Sequence, residues 1–364
     1  MEIGSVLELE PWDHYPFSEK SSSEICFPFM RNHNYQVRFY QSGRNCIEVL
    51  LKFLMKKNGI REIFMPDFVC DSVTAAANRA GIRVTEYHVS EEYEISVEEL
   101  ESIRSKDACL YFVHYFGKKP SNTVLDFAKN WMRDGGIVIE DVTMSLLSHG
   151  EGIGFGSYVI GSVRKWFPIP DGGLLASESE ELPDEPDPRR VSRYSGLYSL
   201  VQEMKREYVE GGEKNKELKK IYRDYYQLAI KDLFSDYTIY PMSDLSKNYL
   251  LNADFSRIFN KRASNYDYLY DHVKDLKGVK VKVIREEGFL PFGMVIAAKE
   301  RDVILQELIK EDVYCNVHWK FEKYNPTNAF ISLSSTSMTI PCDQRYDLHD
   351  VDRIINILKR CVEK

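Results

Sequence analysis

The sequence predicts an α/β protein, in which a large domain with a mainly parallel, doubly wound sheet is followed by a smaller C-terminal α+β domain. Over residues 40–176, short β-branched and aromatic runs alternate with segments whose apolar residues recur at helical spacing. Beyond residue 245 the order becomes strand, strand, helix, strand and closing helix. The chain of 364 residues is long enough for two domains, so we expect domains at residues 1–245 and 246–364.

The first part of the chain predicts an arm and then the large-domain elements. Prolines and a serine cluster make residues 1–35 an irregular, extended N-terminal arm. Ser42 is a plausible N-cap for a helix in CIEVLLKFLMKK. Helices are then expected at Asp67–Ala80, Val97–Ser105 and Thr123–Arg133, and strands at Glu62–Met65, Arg83–Val89, Ala108–Phe116, Ile137–Ile139, Tyr158–Val163 and Leu174–Ala176.

The second part begins with an acidic, proline-rich segment, Ser177–Arg190, which we interpret as a solvated connector, with a lid as the alternative. A long charged helical region, Tyr194–Phe234, is broken at Gly211-Gly212. Further helices are expected at Asp254–Leu276, Arg301–Glu311 and Leu348–Val362, and strands at Val279–Ile284, Phe292–Ala297, Tyr314–Trp319, Phe330–Leu333 and Met338–Ile340.

Composition and charge argue against several classes of protein. A formal net charge of −8 disfavours nucleic acid as the main partner, because backbone phosphates would be repelled. No apolar run approaches the roughly 20 residues of a membrane span, and the N-terminus lacks the pattern of a signal peptide. The 7 cysteines are scattered without a CxxC motif, which favours neither a metal site nor a disulfide framework. A reducing, cytoplasmic location is therefore expected.

The stretch Gly135–Ala176 carries the sharpest chemical signal. Asp141 ends one expected strand, and Lys165 follows the next one. In an open α/β sheet, the carboxyl ends of adjacent strands are where a ligand binds. Pyridoxal phosphate (PLP) needs this pair, because a lysine holds its aldehyde as a Schiff base and a carboxylate keeps its pyridine nitrogen protonated. The alternatives are a surface lysine and an acid at a strand end or helix cap.

A candidate phosphate site precedes the first helix. Gly43, Arg44 and Asn45 follow Ser42, and small and polar residues at a helix N-terminus make an anion site. A plain capped helix is the alternative interpretation.

Other candidate contacts are weaker when taken singly. Ser162 is expected to contact the phosphate, Phe68 or Cys70 to pack on the cofactor ring, and His114 to line the pocket. For the last three, packing in the core is the alternative use. His318 and Trp319, late in the chain, are candidate substrate contacts, with core packing again as the alternative.

Together these passages resemble the DegT/StrS-type aminotransferases, fold-type I PLP enzymes that mostly transfer an amino group to keto sugars on nucleotide carriers. The resemblance covers nearly the whole chain. It rests on SGRNCIEVLLKFL, FMPDFVCDSVTAAANRAGIRVTEYHV, YFVHYFG, GIVIEDVTMSLLSHGEGIGFGS, KWFPIPDGGLLA, VYCNVHWKF and MTIPCDQRY.

The resemblance implies roles for particular residues. Lys165 matches the Schiff-base lysine and Asp141 the partner of the pyridine nitrogen. Gly43, Arg44 and Asn45 fall at the phosphate turn, and Phe68 falls near the ring-stacking position. Thr143 and Met144 fall in the cofactor-binding segment that follows the aspartate. A homodimer whose subunits complete each other's sites is also implied.

The chain departs from the family pattern at three places. Met144 stands where the family has a glutamine, and Gly43-Arg44 stands where it has Gly-Thr. Ile160 replaces a serine five residues before the lysine, for which Ser162 is the expected substitute, while Arg164 is expected to add charge near the phosphate. These departures bear more on the substrate than on the cofactor.

The sequence therefore predicts a PLP-dependent aminotransferase that uses glutamate as donor and a nucleotide-linked keto sugar as acceptor, in cell-surface polysaccharide or secondary-metabolite biosynthesis. One alternative is a PLP enzyme acting on a non-sugar carbonyl. A second is a catalytically idle protein that keeps the fold for binding or regulation. A related dehydratase is disfavoured, because such enzymes lack the lysine that Lys165 matches.

Overall fold

The computed structural model describes residues 2–11, 14–319 and 326–362. The helices are α1 Gly43–Lys57, α2 Asp71–Ala80, α3 Val97–Ile103, α4 Asn122–Arg133, α5 Arg193–Glu210, α6 Lys216–Ser235, α7 Asp244–Asn252, α8 Phe255–Val273, α9 Arg301–Lys310, α10 Asn328–Thr336 and α11 Leu348–Val362. The strands are β1 Ile3–Gly4, β2 Gln36–Tyr40, β3 Glu62–Pro66, β4 Arg83–Tyr87, β5 Ala108–Val113, β6 Ile137–Asp141, β7 Tyr158–Ser162, β8 Gly173–Ser177, β9 Lys280–Val281, β10 Met294–Ala297, β11 Val313–Tyr314 and β12 Ser337–Ile340.

The central sheet has seven strands in the order β2-β8-β7-β6-β5-β3-β4. The run from β4 through β3, β5 and β6 to β7 is parallel, while β8 is antiparallel to both β7 and β2. Helices connect the successive parallel strands β3, β4, β5 and β6. The mainly parallel α/β fold predicted from the sequence is therefore confirmed.

Both faces of the sheet are buried. In β7 and β8, Val159, Leu174 and Ala176 pack in one apolar cluster, whereas the alternate residues Ile160 and Leu175 pack in another. When successive side chains of a strand all pack against apolar neighbours, its sequence is a continuous apolar run. This is typical of parallel sheets that are covered on both faces. This is why the strands were recognisable in the sequence.

A smaller sheet lies in the C-terminal part of the chain. Its strands β9, β10 and β12 are antiparallel, with β10 in the centre. A third apolar cluster surrounds this sheet and draws on α8, α9 and α11. The domain boundary at residue 245 stays a prediction.

The N-terminal segment is more ordered than the sequence predicted. Strand β1 pairs in parallel with β11, and Ile3 is fully buried in the C-terminal apolar cluster. Two short 3-10 turns follow, at Ser22–Glu24 and Pro28–Met30. The first residues of the chain are therefore attached to the part of the protein formed by the last third of the sequence.

Helices α5 and α6 form a hairpin whose turn includes Gly211 and Gly212, where the sequence predicted a break. A tyrosine-rich apolar cluster holds the two helices together, and Val6 of the N-terminal segment packs into it. No helix among the described residues combines the length and apolar character needed to cross a membrane.

Some element predictions were wrong. Phe330–Leu333 lies in α10, not in a strand, because Thr327 caps a helix there by accepting from the Phe330 amide. A short apolar run is compatible with either a strand or a helix, and here the N-cap residue favours the helix. The strand expected at Tyr314–Trp319 is limited to β11 and one bridge at Asn316, and that expected at Val279–Ile284 to β9. Strand β2 and helix α7 were not predicted.

We predict that Gly173→Ala lowers the free energy of unfolding by about 1–3 kcal/mol, the usual cost of overpacking. Gly173 starts β8 beside the first turn of α1, and a Cβ there would lie 2.2 Å from the Ser42 carbonyl carbon and 2.6 Å from the Gly43 nitrogen. Urea denaturation gives the comparison. Gly196→Ala is the matched control, because it lies in helix α5 and, apart from its chain neighbours and the backbone of its own helix, no described heavy atom lies within 4 Å of the added Cβ. Equal stability of the Gly173→Ala protein and the wild type would contradict the packing described here.

Candidate functional site

A cavity of about 160 Å³ lies where β6 and β7 end and α1 begins. Asp141 from β6, Ser162 from β7 and Gly43 from α1 line it, together with Lys165. This is the position at which doubly wound sheets bind ligands, outside the carboxyl ends of the parallel strands. The spacing of Asp141 and Lys165 in the sequence thus corresponds to one shared cavity in the fold.

A second cavity, of about 260 Å³, adjoins the first, and Arg164 and Lys165 line both. The N-terminal segment supplies Gly4 and Ser5 to its wall, and His318 lines it from the C-terminal part of the chain. Lys165 therefore stands between two spaces that draw on different parts of the sequence.

Lys165 does not continue strand β7. A 3-10 turn, Val163–Lys165, follows the strand and carries the lysine. The loop after the lysine is fixed through buried Asp171, whose carboxylate accepts from the hydroxyls of Ser195 and Ser246. Those serines lie on α5 and α7, so two helices hold the lysine loop in place.

Burial lowers the pKa of the Lys165 amine below its ordinary value, and the neighbouring positive charges of Arg164 and Arg44 lower it further. The charge of Asp141 acts in the opposite direction without reversing the shift. A lysine with a lowered pKa spends more of its time as a neutral amine, which is the nucleophilic form.

Asp141 is buried and held at both carboxylate oxygens. The Tyr111 hydroxyl donates to Oδ2 at 2.7 Å, and the Thr143 backbone N–H donates to Oδ1 at 2.8 Å. Burial and the neighbouring Asp141 charge raise the pKa of Tyr111 well above its ordinary value, so the phenol stays a donor. The carboxylate consequently has a fixed orientation at the cavity wall.

Helix α1 brings its N-terminus to the same cavity. Ser42 caps the helix by accepting from the Asn45 N–H, and Gly43 and Arg44 form its first turn beside Ser162. The first N–H groups of a helix have no intrahelical acceptor, and the helix dipole adds positive potential there. Arg44 donates to the Leu233 carbonyl and lies 4.2 Å from the Phe234 ring centroid.

The charged groups lining the first cavity, among the described residues, are Arg44, Arg164, Lys165 and Asp141. Positive charge exceeds negative charge, and a helix N-terminus faces the same space. Such a cavity favours an anionic ligand, and phosphate is the anion that helix N-termini commonly bind.

Most of the predicted site residues meet at the first cavity, which is lined by Gly43, Arg44, Cys70, Asp141, Thr143, Met144, Ser162, Lys165 and Trp319. Thr143 also braces the wall, because its hydroxyl accepts from the Ser162 N–H at 3.0 Å. Met144 is 2% exposed and contributes an apolar contact.

Three predicted cofactor contacts do not line this cavity. Asn45 is buried and accepts from the Ser42 hydroxyl, so it shapes the helix cap. Phe68 is fully buried in an aromatic cluster, with its ring centroid 5.0 Å from that of Trp319. Its neighbours Val69 and Cys70 face the cavity instead.

His114 is the third residue that lies away from the cavity. Its Nε2 lies 2.6 Å from Oε1 of Glu140, and both side chains are fully buried. Glu140 also accepts from the backbone N–H groups of Gly154 and Gly156, so this pair anchors the glycine-rich loop after β6. His114 is therefore a buried core residue, which was the alternative to its predicted place in the pocket.

His318 lies at the second cavity. Burial lowers its pKa to about 3, with a further contribution from the charge of Lys165, so its imidazole is neutral at physiological pH. Trp319, the next residue in the sequence, lines the first cavity. The two candidate acceptor contacts therefore flank Lys165 from the two cavities.

Sequence reasoning missed Tyr111. It lies on β5, which pairs with β6 through Val113 opposite Asp141. A buried tyrosine needs a partner for its hydroxyl, and an acid ending the adjacent strand is a natural one. That combination was a usable signal, although nothing in the sequence gives the strand register.

No protein-family model matches the chain, and no curated protein matches it by sequence. Solved structures do resemble it. PseC of Helicobacter pylori, an aminotransferase involved in the biosynthesis of pseudoaminic acid, superposes with a TM-score of 0.69 at 14% identity, covering 100% of both chains. DesV of S. venezuelae, in complex with a ketimine intermediate, gives 0.64 at 14% identity over 94% of this chain and 87% of its own.

A third structure is Spr1654 of Streptococcus pneumoniae in its PLP form, with a TM-score of 0.62, 15% identity and coverage of 90% of this chain and 87% of its own. The chain therefore has the fold of these proteins. At such low identity the likeness carries the fold and no more, so the chemistry rests on the cavity residues.

Proposed function

We propose that this chain is a PLP-dependent aminotransferase that moves an amino group from glutamate to a keto sugar carried on a nucleotide. The observation that carries the proposal is the meeting of Lys165 and Asp141 at one cavity on the carboxyl edge of the sheet. The fold, which is that of PseC and DesV, supports it.

The residues present fit the cofactor. Lys165 offers an amine with a lowered pKa, and Asp141 offers a carboxylate held in one orientation. Arg44, Ser162 and the first turn of α1 offer positive potential and hydrogen-bond donors for a phosphate. Buried Nε of Arg164, which lines both cavities, has no hydrogen-bond partner among the described residues, so a donor stands ready for a ligand.

PLP, when bound, supplies an aldehyde that forms a covalent bond with an amine and a protonated ring that accepts electrons. Lys165 would hold the cofactor through that bond and, once released by the amino donor, move a proton from the donor's α-carbon as general base. Asp141 would keep the pyridine nitrogen protonated, because a carboxylate beside the ring N–H stabilises the charged form. Tyr111 and Thr143 would keep Asp141 aimed at that nitrogen.

The substrates are the finer part of the proposal. We assign acceptor contacts to His318 and Trp319, the first as a neutral hydrogen-bonding group and the second as a stacking surface. The involvement of PseC in pseudoaminic acid biosynthesis supports a sugar acceptor. Glutamate as donor, the nucleotide carrier and a homodimeric assembly follow from the resemblance of the motifs to the DegT/StrS-type enzymes.

The proposal predicts that purified protein mixed with PLP develops the visible absorption band of a lysine-bound aldehyde, and that Lys165→Ala abolishes it. Lys119→Ala is the matched control and should keep the band, because Lys119 does not line either cavity. Glutamate should then bleach the wild-type band as the amine form appears. A band of equal strength in Lys165→Ala would refute the cofactor assignment, and a band that no amino acid bleaches would favour an idle protein.

We further predict that Tyr111→Phe slows bleaching of the band by glutamate about tenfold or more. The variant loses a hydrogen bond to a charged group, an interaction worth about 1.5–3 kcal/mol. Tyr87→Phe is the control, since Tyr87 is equally buried and donates to the Tyr111 carbonyl at 2.9 Å without touching Asp141. The rates come from stopped-flow absorbance. If both variants slow the reaction equally, the loss reflects packing and Tyr111 does not position Asp141.

A further inference from the structure

The loop that follows Lys165 contains a buried acid with no charged group in contact. Asp171 is 1% exposed, and its carboxylate accepts only from neutral groups, namely the hydroxyls of Ser195, Ser243 and Ser246 and the Ser243 N–H. Among the described residues, no lysine or arginine nitrogen lies within 4 Å of it. Such a carboxylate is costly to bury, because neutral donors replace only part of its hydration.

Arg164 is a cation in the corresponding situation. It lines both cavities, and its Nε is buried. Its guanidinium carbon lies 5.9 Å and 5.7 Å from the ring centroids of Tyr194 and Tyr198, but no carboxylate oxygen of the described chain lies within 4 Å. Tyrosine faces offset only part of the cost of removing a guanidinium from water. Arg164 therefore lacks an anion in contact, as Asp171 lacks a cation.

Helix α5 and the lysine loop bring these two charges to one place. Tyr194 and Ser195 are consecutive residues in the first turn of α5, and they contact Arg164 and Asp171 respectively. The carbonyl of Gly172, the residue after Asp171, accepts from the Arg164 N–H at 3.4 Å. Although burial lowers the pKa of Arg164, the neighbouring tyrosines and Asp171 raise it above its ordinary value. Opposite charges interact across such a gap because a protein interior screens them far less than water does.

We propose that Asp171 is a positioning residue, whose carboxylate is the through-space counter-charge of Arg164 and keeps the guanidinium next to Lys165 at the junction of the two cavities. Hydrogen bonding alone does not account for an acid at this position. A neutral amide could take the same serine partners, because a hydroxyl both donates and accepts. The proposal deepens the proposed function and rests on it only for its catalytic meaning, since the pairing itself involves residues of this chain alone.

The pairing has a consequence for the amine of Lys165. Burial lowers the pKa of that amine, and the charge of Arg164 lowers it further. If Asp171 lost its charge, Arg164 would act on Lys165 without a counter-charge, and the amine would lose its proton at a lower pH. The charged and titratable groups that face Lys165 are Arg44, Cys70, Asp141, Arg164 and His318.

The first test is the titration of Lys165 in the full chain without bound cofactor. Competitive acetylation with acetic anhydride over a range of pH, followed by mass spectrometry of the Lys165 peptide, gives the midpoint. Asp171→Asn keeps the shape of the side chain and removes its charge, so the midpoint should fall by about one pH unit. Asp244→Asn is the matched control and should leave the midpoint unchanged, because this exposed acid at the start of α7 pairs with Lys247.

Ser195→Ala separates the charge of Asp171 from its part in bracing the loop. This variant removes one hydrogen bond to the carboxylate and keeps the charge. The proposal predicts that the Lys165 midpoint falls in Asp171→Asn and stays at the wild-type value in Ser195→Ala. A purely structural role predicts the same change in both variants.

A thermal-unfolding cycle tests the pairing directly. Arg164→Gln and Asp171→Asn each leave one buried charge without its partner, so each single variant should melt below the wild type. The double variant removes both charges and should lose less stability than the two single losses added together. This cycle keeps the test valid if Asp171→Asn fails to fold, because a double variant that folds where the single one does not shows the predicted coupling.

An unchanged Lys165 midpoint in Asp171→Asn, an equal fall in Ser195→Ala, or additive losses in the unfolding cycle would overturn the proposal. All of these measurements use protein without bound cofactor. A chain that forms no visible band with PLP therefore still tests the pairing, and failure of the pairing is distinguishable from failure of the proposed function.

Discussion

The structure depends on one close approach, between the start of strand β8 and the first turn of helix α1. Gly173 lies so near Ser42 and Gly43 that a Cβ would overlap the backbone, and the adjacent Gly172 N–H donates to the Gln41 carbonyl at 2.8 Å. The Gly172 carbonyl accepts in turn from the Val163 N–H. These contacts connect the N-terminus of α1, the start of β8 and the turn that carries Lys165. The helix dipole, the lysine and the strand edge with Asp141 therefore meet at one cavity because glycine leaves room for two backbones to touch.

Electrostatics explains what such a cavity is suited to do. The charged side chains around it include several cations and few acids. Burial lowers the pKa of Lys165 and that of Arg44, and the neighbouring positive charge of Arg164 lowers both further. Asp141 is the acid among the described charged residues of the first cavity, and two hydrogen bonds hold its carboxylate in place. A site that holds buried cations close together stores unfavourable energy until an anion arrives. The proposed phosphate in the first cavity would relieve part of it, which gives that ligand a physical reason to bind beside the lysine.

The sequence predicted the sheet and the pairing of Asp141 with Lys165, because buried parallel strands form apolar runs and their carboxyl ends share an edge. It did not predict contacts that depend on register or on distant segments. Tyr111 reaches Asp141 only through the pairing of β5 with β6, and Gly4 and Ser5 reach the second cavity only because β1 pairs with β11. His114 was predicted to line the pocket, but its imidazole pairs with the buried carboxylate of Glu140. The assignment of Phe330–Leu333 as a strand was wrong because the cap at Thr327 outweighed a short apolar run.

The central claim is that the amine of Lys165 forms the covalent bond to the cofactor. Reducing the protein with borohydride in the presence of PLP, followed by protease digestion and mass spectrometry of the peptides, identifies the lysine that carries the reduced cofactor. The account predicts that the modification lies on the peptide containing Lys165, at about one group per chain. Modification spread over exposed lysines, or its absence from the Lys165 peptide, would contradict it.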